Sequence, residues 1–494
     1  MQSRILRAAL WSALLPVATA STALAGDALT IYSTGQPVAV GVRGAAGAPG
    51  YAVVRHEREL ALVRGRNELR FTDVAAHIDP TTVAFNSLTD PTGTRVIEQN
   101  FQFDLVSQEK LLQRFIDREI SVERLVGERI ETLSGVLLST QGGIVLRLED
   151  GSVRTVPYHA GVKLPQLPGG LITRPTLVWD VGAERAGVHK ARVAYQTAGI
   201  GWWSDYNLTL DESRACRLDI GAWVSILNQS GASYGDARIK LVAGDVHRAE
   251  FRREYAVPMA AMKMARDAAE AESFAEKTFF EYHLYTLGRT TTLPDNSTKQ
   301  IELFPVARDV ACEKTLVYYG QAGQHYGYGS VISDRNYGLG GNGKVDVYLS
   351  FKNREEQGMG VPLPAGRVRV SKLDEADGSL EFIGEDRIDH TPKNETVQLK
   401  LGSAFDVVGE RRQVDFRIDT ARNTMTEEIE VKLRNRKEEA VTVVVKENLY
   451  RWTNWKILSS SHEWQKQDSR TIHMPVTIEP DGEAVVRYKV RYTW

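Results

Sequence analysis

Gly231-Ala232-Ser233-Tyr234-Gly235 spells G-x-S-x-G, the pattern that lifts a nucleophilic serine above a parallel sheet when a strand turns sharply into a helix. Here the residues that follow alternate as Arg238-Ile239-Lys240-Leu241, which predicts a strand and leaves no helix amides to steady an oxyanion. The segment reads as a turn. Gly338-Leu339-Gly340-Gly341-Asn342-Gly343-Lys344 imitates a phosphate loop, but that loop needs Ser or Thr after the lysine and a helix behind it. Val345 and an alternating strand stand there instead. The ten histidines are scattered, and His56-Glu57 lacks the second histidine four positions on that a zinc-protease helix uses. No spacing suits structural zinc or a calcium loop, so no metal and no cofactor is expected. Carboxylate pairs for glycosidic cleavage leave no local pattern, because they meet from distant positions.

Two further sets of residues remain. Cys216 and Cys312 are the chain's two cysteines, and an even count in an exported chain reads either as a bridge or as two half-buried thiols ahead of strands. Tyr318, Tyr319, Tyr326, Tyr328 and Tyr337 lie among glycines between 318 and 343, with His325 and Arg335 nearby. Tyrosines on glycine-rich loops make recognition surfaces at low entropy cost. Tyr326, Tyr328 and Tyr337 are therefore the candidate binding residues; the alternative is a long hairpin whose tyrosines cover the end of a sandwich.

The elements that position these residues are mostly strands. Alternation recurs at Val193 and Tyr195, Ile239 and Leu241, Ile429 to Leu433 and Val441 to Val445. Turn signals such as Asp150-Gly151, Gly169-Gly170, Asp377-Gly378 and Asp481-Gly482 separate the runs. The fold class is mostly β, in several antiparallel sandwich or small-barrel domains. A short helix capped by Ser107 places Leu111, Leu112, Phe115 and Ile116 on one face, and four strands after it suggest a small bent barrel. An Ala- and Met-rich connector helix is expected from about Pro258 to Lys277.

Arg4 and Arg7 precede an apolar run from Ala8 to Val17 and then small residues up to Ala25, which is the pattern of a secretory leader cut before Gly26. The run is shorter than the roughly 20 residues of a membrane span. No cysteine at the cut site offers a lipid anchor, and no integral membrane span is expected. Losing Arg4 and Arg7 moves the formal net charge from -2 to -4, and no basic stripe stands out, so nucleic acid is not an expected partner. The expected units are a leader (1–25), an N-terminal β domain (26–106), a helix plus small β-barrel (107–172), a central sandwich with the connector helix (173–340) and a C-terminal immunoglobulin-like sandwich (341–494).

Phe103-Asp104-Leu105-Val106-Ser107 with Glu109-Lys110-Leu111-Leu112, then Tyr195, Gly199, Trp202 and Tyr206 at their spacing, resemble the bacterial envelope family called domain of unknown function 4139. Trp223-Val224 with Asn228-x-Ser230-Gly231, Ala237-x-x-x-Leu241-x-Ala243-Gly244, Lys299-Gln300 and Gly360-x-Pro362-Leu363-Pro364-x-Gly366-x-Val368 extend the resemblance from about Tyr51 to Trp494. It implies β-rich domains and an envelope setting, and carries over no catalytic residue. Trp202, Tyr206 and Trp223 suit core anchors, and Pro362 to Pro364 suit a rigid lead-in to an edge strand. Together these readings point to an exported, non-enzymatic β scaffold, periplasmic or secreted, that binds an envelope protein or glycan. Two other readings stay open. One is an envelope-polymer hydrolase with convergent carboxylates. The other is an outer-membrane barrel, suggested by the alternation of Val486, Tyr488, Val490, Tyr492 and Trp494 at the C terminus.

Overall fold

The computed structural model describes residues 25–35, 50–246, 274–320 and 330–494, apart from 103, 105, 128, 167, 214, 245, 340 and 375. The leader residues 1–24, most of the expected connector helix, His325, Tyr326 and Tyr328 lie outside them. Among the described residues strand makes up 65% and helix 2%, which establishes the mostly β class. Among the described residues, four sheets of eight, five, three and thirteen strands surround three apolar cores.

The eight-stranded sheet is built around Ala25–Tyr32, the first strand of the chain. This strand runs parallel to Tyr234–Ala243 on one side and antiparallel to Tyr51–Leu62 on the other. Outward from there, Tyr51–Leu62 pairs with Gly187–Ala198 and that strand with Ile78–Ser87. On the opposite flank Tyr234–Ala243 pairs with Tyr282–Leu287 and that strand with Phe274–Phe279. The sheet thus joins strands from 26–106 to strands from 173–340. Phe274 to Lys277, expected as the end of the connector helix, instead open a strand. Phe274 is buried beneath the sheet and the cross-strand partners Leu287 and Leu284 hold the extended backbone. A small companion sheet centres on Thr176–Ala183, whose Trp179 is buried against Phe71 and Phe85.

Residues 108–163 form a unit with its own core. Ser107 Oγ accepts from the Lys110 amide at 3.2 Å and caps the Gln108–Arg114 helix. Leu112 and Phe115 then pack on Ile120, Val122, Leu137, Ile144 and Leu146. Its five strands form an open sheet, correcting the expected barrel. Gly161–Lys163 and Val153–Val156 sit at opposite ends, and each ladders to one neighbour only; closure would require them to pair with each other.

The thirteen-stranded sheet holds the rest together through two very long strands. Ser297–Tyr319 pairs first with Arg217–Asn228 and then with Lys344–Lys352 and Val441–Asn448, passing from one core to another. Thr396–Asp419 likewise pairs with Lys344–Lys352 and then with Thr424–Asn435. The disulfide is formed: Cys216, just ahead of Arg217–Asn228, and Cys312, on the neighbouring Ser297–Tyr319, have Cα atoms 5.0 Å apart. It closes a sequence separation of 96 residues, for which the chain-entropy model gives about 4.7 kcal/mol of stabilisation.

Three expectations change here. No sheet closes on itself among the described residues, which overturns the outer-membrane barrel. The last strand, Glu483–Thr493, lies between Thr424–Asn435 and Trp455–Ser460, and Val486, Tyr488, Val490 and Tyr492 face the protein's interior; a membrane barrel would turn such a face to lipid. Trp202 and Tyr206 are core anchors, with Trp202 Nε1 donating to Val242 O and Tyr206 Oη to Pro364 O. Trp223, however, points outward and is 39% exposed, because the alternation that buries Ala222 and Val224 puts it on the other face. Finally, Gly366–Leu373 is an interior strand, flanked by Ile200–Asp211 and Leu380–Ile388. Pro362 and Pro364 are tolerated because they precede the ladder.

Candidate binding groove

The outer face of the eight-stranded sheet carries a cavity of about 620 Å³. Its shape follows from side-chain size. Ala28 and Thr30 on the central strand are small and flanked by long side chains, so the middle of the face is recessed. Cross-strand register sorts the lining into rows, since residues two apart share a face. Arg55, Ala28 and Arg238 form one row. Thr30, Lys240 and Thr286 form the next. Tyr32, Val242, Leu284 and Lys277 form the third, and Tyr282 with Phe279 the fourth. Tyr32 stacks on Tyr51 with ring centroids 4.3 Å apart and closes that flank.

The charges at this face are unbalanced. Arg55 donates to Thr30 Oγ1 at 2.9 Å. Arg238, Lys240 and Lys277 are exposed, and neither they nor Arg55 meet a carboxylate among the described residues. The one acid of the lining, Glu57, is already engaged by Arg192 at 2.6 Å and Lys190 at 3.0 Å. Hydrogen bonds from Arg192 first, then Lys190, hold its carboxyl below the ordinary range against the opposing effect of burial. Cations beside a concave apolar floor raise the local concentration of anions.

The candidate motifs from the sequence take structural roles. Ser233 Oγ accepts from the Asp295 amide at 2.9 Å, in a turn that runs directly into Tyr234–Ala243. His56 belongs to a buried chain: its Nδ1 lies 2.6 Å from Asp27 Oδ1 and its Nε2 3.0 Å from Tyr195 Oη. Tyr195 Oη also accepts from the Ala75 amide. An acid beside an imidazole is the geometry of a general base. Here all three groups are buried, and burial above all pushes the Tyr195 hydroxyl well above its usual range. The chain pins the first strand to its neighbours. No local sequence signal betrays it, because its members lie 29 and 139 residues apart.

Of the tyrosine candidates, Tyr337 is half-buried with its ring 5.7 Å from that of Tyr450. Its carbonyl accepts from Tyr450 Oη at 2.7 Å and from Arg451 at 3.4 Å. Arg451 is fully buried; it also donates to the carbonyls of Ile332, Asp334 and Arg335 and pairs with Glu427 at 3.1 Å. A second buried pair, Arg411 with Glu447 at 3.0 Å, receives the Tyr488 hydroxyl. Tyr318 is buried and donates to Asn342 O. The segment from 330 to 339 is therefore fastened at its carbonyls by a buried guanidinium. Such pairs are costly to desolvate and specify geometry more than they stabilise it.

The chain matches no family model and no curated protein.

Proposed function

We propose that this chain is an exported, non-enzymatic β scaffold of the bacterial envelope, periplasmic or secreted, whose groove binds an anionic envelope component borne by a protein or a glycan. The observation that carries this reading is the set of cations around the groove, Arg55, Arg238, Lys240 and Lys277, without carboxylate partners among the described residues. Cations that meet no carboxylate among the described residues, beside a recessed apolar floor, are an arrangement that a ligand completes. The disulfide suits an oxidising compartment, and the resemblance to the envelope family supports the same setting. A hydrolase acting on glycosidic bonds uses two carboxylates, whereas the groove lining offers Glu57, which Arg192 and Lys190 already occupy.

Crosslinking in the native envelope, followed by partner identification, tests the proposal. The wild-type protein is expected to give a defined crosslinked species that R238E/K240E/K277E loses while keeping its fold. Turnover of an envelope polymer, or crosslinking indifferent to these three charges, overturns it.

A further inference from the structure

The groove has two chemically different ends. Its first two rows present Arg55, Arg238 and Lys240, and its last two present Tyr32, Val242, Leu284, Tyr282 and Phe279, with Lys277 at the outer edge of the third. Each row lies two residues from the next, so at about 3.3 Å per residue the first and fourth rows are roughly 20 Å apart. We propose that the groove binds an anionic amphiphile as a monomer, with a phosphate or carboxylate head between Arg55, Arg238 and Lys240 and a single acyl chain lying over Val242 and Leu284 towards Phe279. This rests on the groove being the binding site and goes beyond that reading, in that the occupant is a free lipid rather than a component borne by a protein or a glycan.

Three observations favour this occupant. The cationic cluster is compact: Arg55 and Arg238 flank Ala28 on adjacent strands, and Lys240 follows Arg238 on the same face. A phosphate or carboxylate there gains several charge-assisted hydrogen bonds at once. Beyond it the path over Val242 and Leu284 is apolar, bordered on the edge strand by Lys277, with Phe279 56% exposed at its far end. A sugar chain would leave its hydroxyls without partners over Val242 and Leu284, whereas every methylene of an acyl chain gains by burial there. Volume separates a lipid from a peptide helix. The cavity of about 620 Å³ falls among small-molecule sites of roughly 300–1,000 Å³, while a helix about 10 Å across lying along the same path needs more than twice that space. An added β-strand is disfavoured as well, because the lining is a sheet face whose backbone groups are already laddered to neighbouring strands.

Titration calorimetry of the full chain with n-dodecyl phosphate and n-dodecyl maltoside, each below its micelle threshold, and with inorganic phosphate tests the proposal, with flotation on phosphatidylglycerol vesicles as a separate arm. Dodecyl phosphate is expected to bind at least about tenfold more tightly than either control, and R238Q/K240Q to weaken it by a similar factor with an unchanged thermal midpoint. Equal binding of the maltoside removes the charge cluster from the argument, and equal binding of inorganic phosphate removes the acyl path. Either result overturns the inference, as does association with vesicles but not with the monomer, or no binding at all. If no amphiphile binds while R238E/K240E/K277E still loses its envelope crosslink, the lipid assignment falls and the scaffold reading stands. If the crosslink is also indifferent to these charges, both fall.

Discussion

Glu57 shows how one side chain sets the character of the groove. It lies on the second strand opposite Arg192 and pairs with both that arginine and Lys190, so the cations without a carboxylate partner among the described residues are Arg55, Arg238, Lys240 and Lys277. Because Arg192 and Lys190 hold its folded-state pKa below the unfolded value of about 4.3, its contribution to stability is fully present above that unfolded value. It is lost as pH falls through the depressed folded value. Urea unfolding of wild type and Glu57→Gln is therefore expected to show a less stable variant at neutral pH and a gap that closes as pH falls through the depressed folded-state value. A gap that stays constant or widens in acid contradicts the role given to Glu57. The half-exposed partners screen the pair, so the effect is small. The sequence showed His56-Glu57 and excluded a zinc motif there, but the partners of both residues come from strands too distant in sequence to be seen locally.

At the scale of elements, backbone proximity decides what a strand tolerates. Gly366 opens a strand that runs parallel to Ile200–Asp211, and a Cβ there would collide with the Ser204 carbonyl oxygen. Rigid backbone cannot yield as a side-chain tip does, so Gly366→Ala is expected to cost about 3 kcal/mol, the upper end of over-packing effects. Gly235, beside open space, serves as the control, and Gly235→Ala should stay within about 0.5 kcal/mol. Chemical denaturation of both variants checks this, and equal losses refute it. The alternation that predicted strands at Ile239, Ile429 and Val441 also sorted faces correctly, since Ile239, Leu241, Ile429, Val431, Val443 and Val445 are all buried. It could not tell an edge strand from an interior one. The Pro362 to Pro364 lead-in suggested an edge, yet pairing on both sides of Gly366–Leu373 depends on where two other strands arrive.

For the whole molecule, the chain's order and its spatial order part company. The first strand sits in the middle of a sheet completed by residues some 200 positions later, whereas the unit from 108 to 163 leaves and rejoins the chain at one place. The Val106 amide donates to Ile172 O at 2.9 Å, and the Ile172 amide to Asp104 O at 3.0 Å. Deleting residues 107–171 and joining the ends through a short Gly-Ser linker should therefore leave a folded protein with its disulfide intact. The excised piece, at a size where folding buries only about 60% of the unfolded surface, should be marginally stable alone. Limited proteolysis and circular dichroism of the two products check this; an unfolded deletion protein would show that the unit supports its host.

Strand periodicity, turn chemistry, the Ser107 cap and the pairing option for two cysteines are short-range properties, set by alternation of side chains and by local backbone preference, so the sequence by itself determined the mostly β class. The groove is different in kind. Ala28, Arg55, Arg238, Leu284 and Phe279 become neighbours only when a parallel pairing across more than 200 residues brings the first strand beside Tyr234–Ala243. Strand register, which assigns each side chain to a face and a row, is a long-range outcome of which strands meet, and only the tertiary structure decided that these cations share one apolar recess.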